Sequence, residues 1–286
     1  MTALRAWAVL VVAASAAGAA WSSRQLDRGR ATADAAQVLY LPSGKYLKVV
    51  SLGFPEVLAD LIYIWSIQYY GHYEAPDRYR YLEHIYGSVI TELDPRYVDP
   101  YLIGSMIMSL EAGDHEMALR LLDKGIAANP REWILPFEAG FLCFNVLHDH
   151  ERAARYFEAA LAMPGAPGVI RRLRAEMYNK LGDKRRSLAY WTEVHETAAT
   201  DYVKDVSWRH VHDLTIEVHL EDLRAAVASY RERHGRLPAG LEALASAGLV
   251  AAVPLDPSGN PYRYDPATGA VSSATRFQLH QRSPRS

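Results

Sequence analysis

A small residue followed four positions later by a large one recurs at fixed spacing through the middle of this chain. Ala118 precedes Leu122, Ala153 precedes Phe157 and Ser187 precedes Trp191, so the small residues stand 35 and then 34 positions apart. Five positions before each lies a turn pair, Gly113-Asp114, His148-Asp149 and Gly182-Asp183. Pro95 and Pro130 are also 35 apart, behind Asp94 and Asn129. Each proline ends a helix, because it lacks an N–H and clashes with the turn before it. A period of this length accommodates two helices and a reversal. The small residue lets the second helix lie close to the first, and the large residue one turn later fills the space between units. One such hairpin cannot bury both faces alone, so neighbours must stack.

This pattern resembles the tetratricopeptide repeat (TPR) family. Three units are expected at 97–130, 133–164 and 168–199. A divergent unit at 55–95 precedes them, its first helix Pro55–Gly71 and its second near Tyr79–Leu93. In the first of these helices Leu58, Leu61, Ile62, Trp65 and Tyr69 follow a helical period and form the expected packed face. Residues 201–219 read as a capping helix, with Asp201 as N-cap and Val203, Val206, His210, Leu214 and Val218 along one side. The fold class is therefore mainly α: a TPR-type α-solenoid of helical hairpins over 55–219 with a small α+β C-terminal module.

That module spans 220–272. Leu220, Leu223, Val227 and Tyr230 form a helical stripe that Gly235 ends. Leu237-Pro238, a short helix Leu241–Ala247, and then Asp256-Pro257-Ser258-Gly259-Asn260-Pro261-Tyr262 follow. The order resembles the soluble part of the major pseudopilin of type II secretion, over about 50 residues. The resemblance implies two or three short strands folding back on the helix. Residues 273–286 read as a disordered basic tail with Arg276, Arg282 and Arg285.

Residues 1–30 read as a signal or anchor segment with its linker. Ala6 to Trp21 is uncharged, with Arg5 before it and Arg24, Arg28 and Arg30 after it. Its 16 residues would span ~24 Å as a helix, slightly short of the ~30 Å hydrocarbon core. The small-residue run Ala17-Gly18-Ala19-Ala20 fits a cleaved signal peptide, whereas Trp7 and Trp21 fit the interfacial belts of a retained anchor. The expected localisation is an inner membrane with a single pass and the repeats in the periplasm; secretion after cleavage is the alternative. Residues 31–54 read as an irregular packed segment, with apolar Leu39, Tyr40, Leu47, Val49 and Val50. The whole arrangement is similar to bacterial proteins that join an N-terminal apolar segment, a block like Leu41-Pro42-Ser43-Gly44-Lys45-Tyr46-Leu47 and a tryptophan-bearing helix to tetratricopeptide repeats.

No motif for chemistry stands out. The net charge of −2 gives no electrostatic footprint for nucleic acid. The one cysteine, Cys143, sits in an apolar run and reads as a buried inert thiol. His115-Glu116, His150-Glu151 and His195-Glu196 each lack the second histidine of a zinc-protease helix, which would stand at Leu119, Ala154 and Ala199. Ser88 and Ser105 follow a glycine, but neither has a glycine two positions later. The 11 histidines, His210 and His212 among them, read as solvated surface residues. No catalytic residue, metal or cofactor is expected.

What remains is surface. The resemblance implies a concave groove lined by the first helix of each unit at i, i+4 and i+7. Those positions are Ile103, Ile107 and Leu110; Glu138, Leu142 and Asn145; Arg172, Glu176 and Asn179. An apolar trio beside two polar ones suits an extended peptide or a partner helix. The expected function is a non-enzymatic protein–protein interaction scaffold at the bacterial cell envelope, docking or assembling a secretion or pilus-type membrane complex. A chaperone-like adaptor for apoprotein maturation, such as cytochrome assembly, and a structural subunit of a larger membrane complex are the alternatives; a hydrolase with a composite site is a more distant one.

Overall fold

The computed structural model describes residues 41–71 and 78–279. The apolar run at 6–21, the first part of the 31–54 segment and the end of the basic tail lie outside them. Among the described residues no helix is long and apolar enough to cross a membrane. The chain divides into two compact units, Met1–Asp94 and Pro95–Ser286.

The first unit holds α1 (Gly44–Val50), α2 (Pro55–Tyr70) and α3, a π-helical stretch His84–Ile90 continued by Thr91–Leu93. Pro55 opens α2, where its missing N–H costs nothing. Ala59, Ile62, Tyr63, Ser66 and Tyr70 of α2 pack with Leu82, Ile85, Tyr86, Val89, Ile90 and Leu93. The expected face of α2 shares only Ile62 with the observed one. This helix is apolar nearly all round, so periodicity could not choose its phase. The 31–54 segment also differs from its reading, because Gly44–Val50 is helical and Val49 and Val50 are exposed.

In the second unit the repeats are explicit. The first hairpin pairs α4 (Val98–Met106, continued by π-helical Ile107–Glu111) with α5 (His115–Ala128). The next pairs α6 (Ile134–Leu142, continued by π-helical Cys143–Leu147) with α7 (His150–Leu161). The third pairs α8 (Val169–Lys180) with α9 (Lys184–Glu196). Each second helix also packs on the first helix of the following hairpin. The architecture is a helical-repeat stack of hairpins.

The three reversals share one geometry. Gly113, His148 and Gly182 all adopt positive φ, at 71°, 54° and 76°. Asp114, Asp149 and Asp183 follow as N-caps, accepting from the backbone N–H of Met117, Arg152 and Arg186 at 2.9, 2.9 and 3.1 Å. The left-handed residue turns the chain, and the aspartate satisfies an N–H that the next helix leaves open. The small and large residues of the repeat are all buried: Ala118 with Leu122, Ala153 with Phe157, Ser187 with Trp191. Gly140 of α6 shows how close the helices come, since a Cβ there would lie 2.8 Å from the Phe157 ring.

Polar contacts on the outside tie successive hairpins together. Arg152 of α7 meets Glu116 of α5 at 3.1 Å, Tyr156 donates to Asp123 at 2.7 Å, and Tyr178 of α8 donates to Glu158 of α7 at 2.7 Å.

A single 34-residue helix, α10 (Asp201–His234), runs on from the stack for about 51 Å. It crosses the 219/220 position at which a capping helix and the C-terminal module were expected to meet. No glycine or proline interrupts 201–234, so nothing breaks it. Thr200 caps it and left-handed Gly235 ends it. Its first half packs on α9 through Leu214, Trp191 and Val194. Its second half carries the module: α11 (Glu242–Ser246) and an antiparallel pair, β1 (Arg263–Asp265) with β2 (Ala270–Ser272). Leu220, Leu223 and Val227 of α10 enclose a core with Leu241, Leu244, Tyr262 and Val271.

Candidate functional site

The first helices of the first two hairpins, α4 and α6, form the walls of an apolar groove. Its cavity is about 460 Å³. Leu102, Ile103, Met106 and Leu110 line one side; Ile134, Phe141, Leu142 and Val146 line the other, above Leu122 of α5. The walls are equivalent by repeat: Ile103, Met106 and Leu110 correspond at 35 residues to Glu138, Phe141 and Asn145. Large apolar side chains stand open here, Leu110 at 70% and Met106 at 47% exposure. Solvent contact of this kind costs free energy that a covering partner returns.

Glu138 is the one charged residue lining the groove. Burial beside apolar side chains pushes its carboxyl pKa up. Ser105, Ser109 and Asn145 complete the polar lining. The site can therefore hold an apolar segment and, at one point, a hydrogen-bond donor or cation.

Of the nine groove positions implied by resemblance, Ile103, Leu110, Glu138, Leu142 and Asn145 line this cavity. Ile107 does not; it is turned into the core at 7% exposure. It stands about 100° round the helix from Met106 and is buried with Met108 and Ser109 at the start of the π-helical stretch, whereas Leu110 is exposed. Arg172, Glu176 and Asn179 lie on α8, away from the cavity. There Glu176 pairs with Lys180 at 3.7 Å and stands 3.5 Å from Asn179 Nδ2. Met106 and Phe141 were missed, although their 35-residue interval was a usable signal.

Two histidines read as solvated are not. His210 stacks on Trp191 at 3.8 Å between ring centroids, and burial pushes its pKa down. His212 is buried beside buried Asp213. Its Nδ1 lies 2.9 Å from Asp213 Oδ1, and its Nε2 lies 3.2 Å from Ser258 Oγ. A carboxylate only accepts, so Nδ1 carries a proton and donates to Asp213. The order hydroxyl, imidazole, carboxylate is that of a nucleophilic triad. The loop, however, has its donors committed elsewhere. Ser258 N and Asn260 N both donate to Asp256 Oδ1, at 3.0 and 2.8 Å, and Gly259 N donates to the Asp256 carbonyl at 2.8 Å. These N–H groups are not open to an oxyanion, which acyl transfer needs. Asp213 also accepts from the backbone N–H of Gln278 and Leu279, both at 2.8 Å. The cluster is a polar clasp that holds the Asp256 loop and residues 278–279 to α10.

Cys143 is buried, and burial pushes its thiol to about 11, which leaves it unreactive near neutral pH. Among the described residues no group of three or more His, Cys, Asp or Glu side chains is placed to hold a metal ion.

No protein-family model matches this chain, and no curated protein matches it. Among solved structures it is similar to a thermophilic TPR protein of Thermus thermophilus, with 20% identity and a TM-score of 0.35 over 58% of this chain and 94% of that one.

Proposed function

We propose that this chain is a protein-docking scaffold, and that the groove between α4 and α6 receives an apolar segment of a partner protein carrying one basic residue. The observation behind the reading is Glu138: a carboxyl whose pKa burial has raised, set among exposed apolar side chains. A Lys or Arg on the incoming segment would restore the ionised form and pair with it in a site from which water is excluded. The apolar rows on both walls favour a helix or an extended strand of side chains. Placement at a cell envelope is supported by the apolar run Ala6–Trp21, and a secretion or pilus-type apparatus by the likeness of 220–272 to a pseudopilin.

The test is a photo-crosslinking amino acid placed at Met106 in the full chain in its native host. Support is a discrete adduct whose crosslinked partner peptide is apolar with a basic residue, lost when Glu138→Lys is added. Crosslinking unchanged by Glu138→Lys would defeat the charge-pairing reading. A crosslinked peptide carrying a haem-attachment motif would move the assignment to apoprotein maturation.

A further inference from the structure

Half of the exposed large hydrophobic side chains among the described residues fall between Tyr46 and Ile67 of the first unit. Val49, Val50, Leu52, Phe54, Val57 and Leu61, all exposed, lie at the end of α1, in the turn after it and at the start of α2. Leu52 is the apex. It is 86% exposed and holds a left-handed backbone, φ 52°, followed by Gly53 at φ 93°. A leucine in that conformation is strained, and in water its side chain gains nothing in return.

We propose that this tip seats in the interfacial layer of a lipid bilayer. Aliphatic and aromatic side chains projecting from a turn between two helices suit the headgroup–acyl boundary, where an apolar face is buried without a specific pocket. Lys45 and Lys48 are exposed beside Tyr46 and Val49, and their stems can lie along the apolar surface while the ammonium groups reach phosphate. On α2 the exposed acids Glu56 and Asp60 lie one turn apart along an edge of the patch, about 100° and 60° around the helix from Val57. Glu92 also lies against α1, its carboxylate accepting from the Lys45 backbone N–H at 3.2 Å, so the neighbouring acids offset both lysines and apolar burial drives the association with little dependence on lipid charge. The chain before the described residues points the same way. Nineteen residues separate Trp21 from Leu41, a reach of at most ~70 Å, so a bilayer holding the run Ala6–Trp21 lies within range of the tip.

The test uses the full chain in phosphatidylcholine vesicles, with Leu52→Cys carrying an environment-sensitive fluorophore. Cys143 is buried and stays unlabelled, and Leu52 is too exposed for its replacement to disturb the fold. An Ala251→Cys label on the exposed surface of the second unit is the control. The proposal expects a blue-shifted emission at position 52, quenching by nitroxides in the acyl chains and protection from aqueous iodide. The control should stay water-quenched, and phosphatidylglycerol should change neither. A label at 52 quenched by iodide as fully as the control would overturn the proposal. So would a label shielded from both quenchers, since that outcome assigns the patch to a protein contact.

Discussion

If the three reversals are one repeated turn, then His148 occupies a position built for glycine. Its φ of 54° lies where an L side chain crowds the following carbonyl, and its side chain is exposed. A non-glycine residue in that conformation costs roughly 1–2 kcal/mol. Glycine removes this cost but gives up about 0.5–1 kcal/mol of backbone entropy on folding. The difference predicts that His148→Gly stabilises the chain by about 0.5–1 kcal/mol. The reverse substitutions, Gly113→Ala and Gly182→Ala, should each destabilise by a similar amount, because an added Cβ meets no neighbour at either position and only the backbone term acts. Urea denaturation followed by far-ultraviolet circular dichroism reads all three, and an unchanged slope of free energy against denaturant licenses the comparison. Loss of stability in His148→Gly, or no effect in the two Gly→Ala variants, would refute the shared turn.

Asp149→Ala removes an N-cap and should cost about 1 kcal/mol. Hydrogen bonding from the Arg152 N–H depresses the Asp149 pKa, so its contribution is complete above the ordinary carboxylate value and fades as pH falls through the depressed one. The wild type should therefore lose stability faster than the variant on acidification below about pH 4. Ala153→Trp should overpack the α6–α7 contact beside Gly140 and cost about 1–3 kcal/mol, and an unchanged melting temperature would contradict the packing described. For Glu138 the sign is opposite, because burial raises its pKa. Its protonated form favours the fold, so stability falls as pH climbs from the ordinary carboxylate value through the raised one. Glu138→Gln should flatten that part of the stability–pH curve of the free protein; the same slope in the variant would show that Glu138 is not its source.

The stack was legible because its information is local and repeated. A turn pair, a small residue and a large one at fixed offsets identify a hairpin without knowledge of its neighbours. Phase was harder. In α2 apolar residues surround the axis, so Ile62 and Leu61 looked equivalent although only Ile62 is buried. The π-helical stretches after Met106 and Leu142 left no mark in the sequence, and around the first of them Ile107 faces the core while Leu110 faces the groove. The clasp at His212 and Asp213 was invisible for another reason: its partners Ser258, Gln278 and Leu279 lie 46 to 66 residues away.

The central claim is that the α4–α6 groove docks another protein through its apolar walls and Glu138. The most direct measurement is mild detergent extraction of the tagged full-length chain from its host, with and without Glu138→Lys, and identification of what copurifies at fixed stoichiometry. The account predicts a membrane-complex component recovered at constant ratio with the wild type and lost with the variant, both chains being equally folded. Recovery of the wild type alone, or of the same component with both chains, would contradict it.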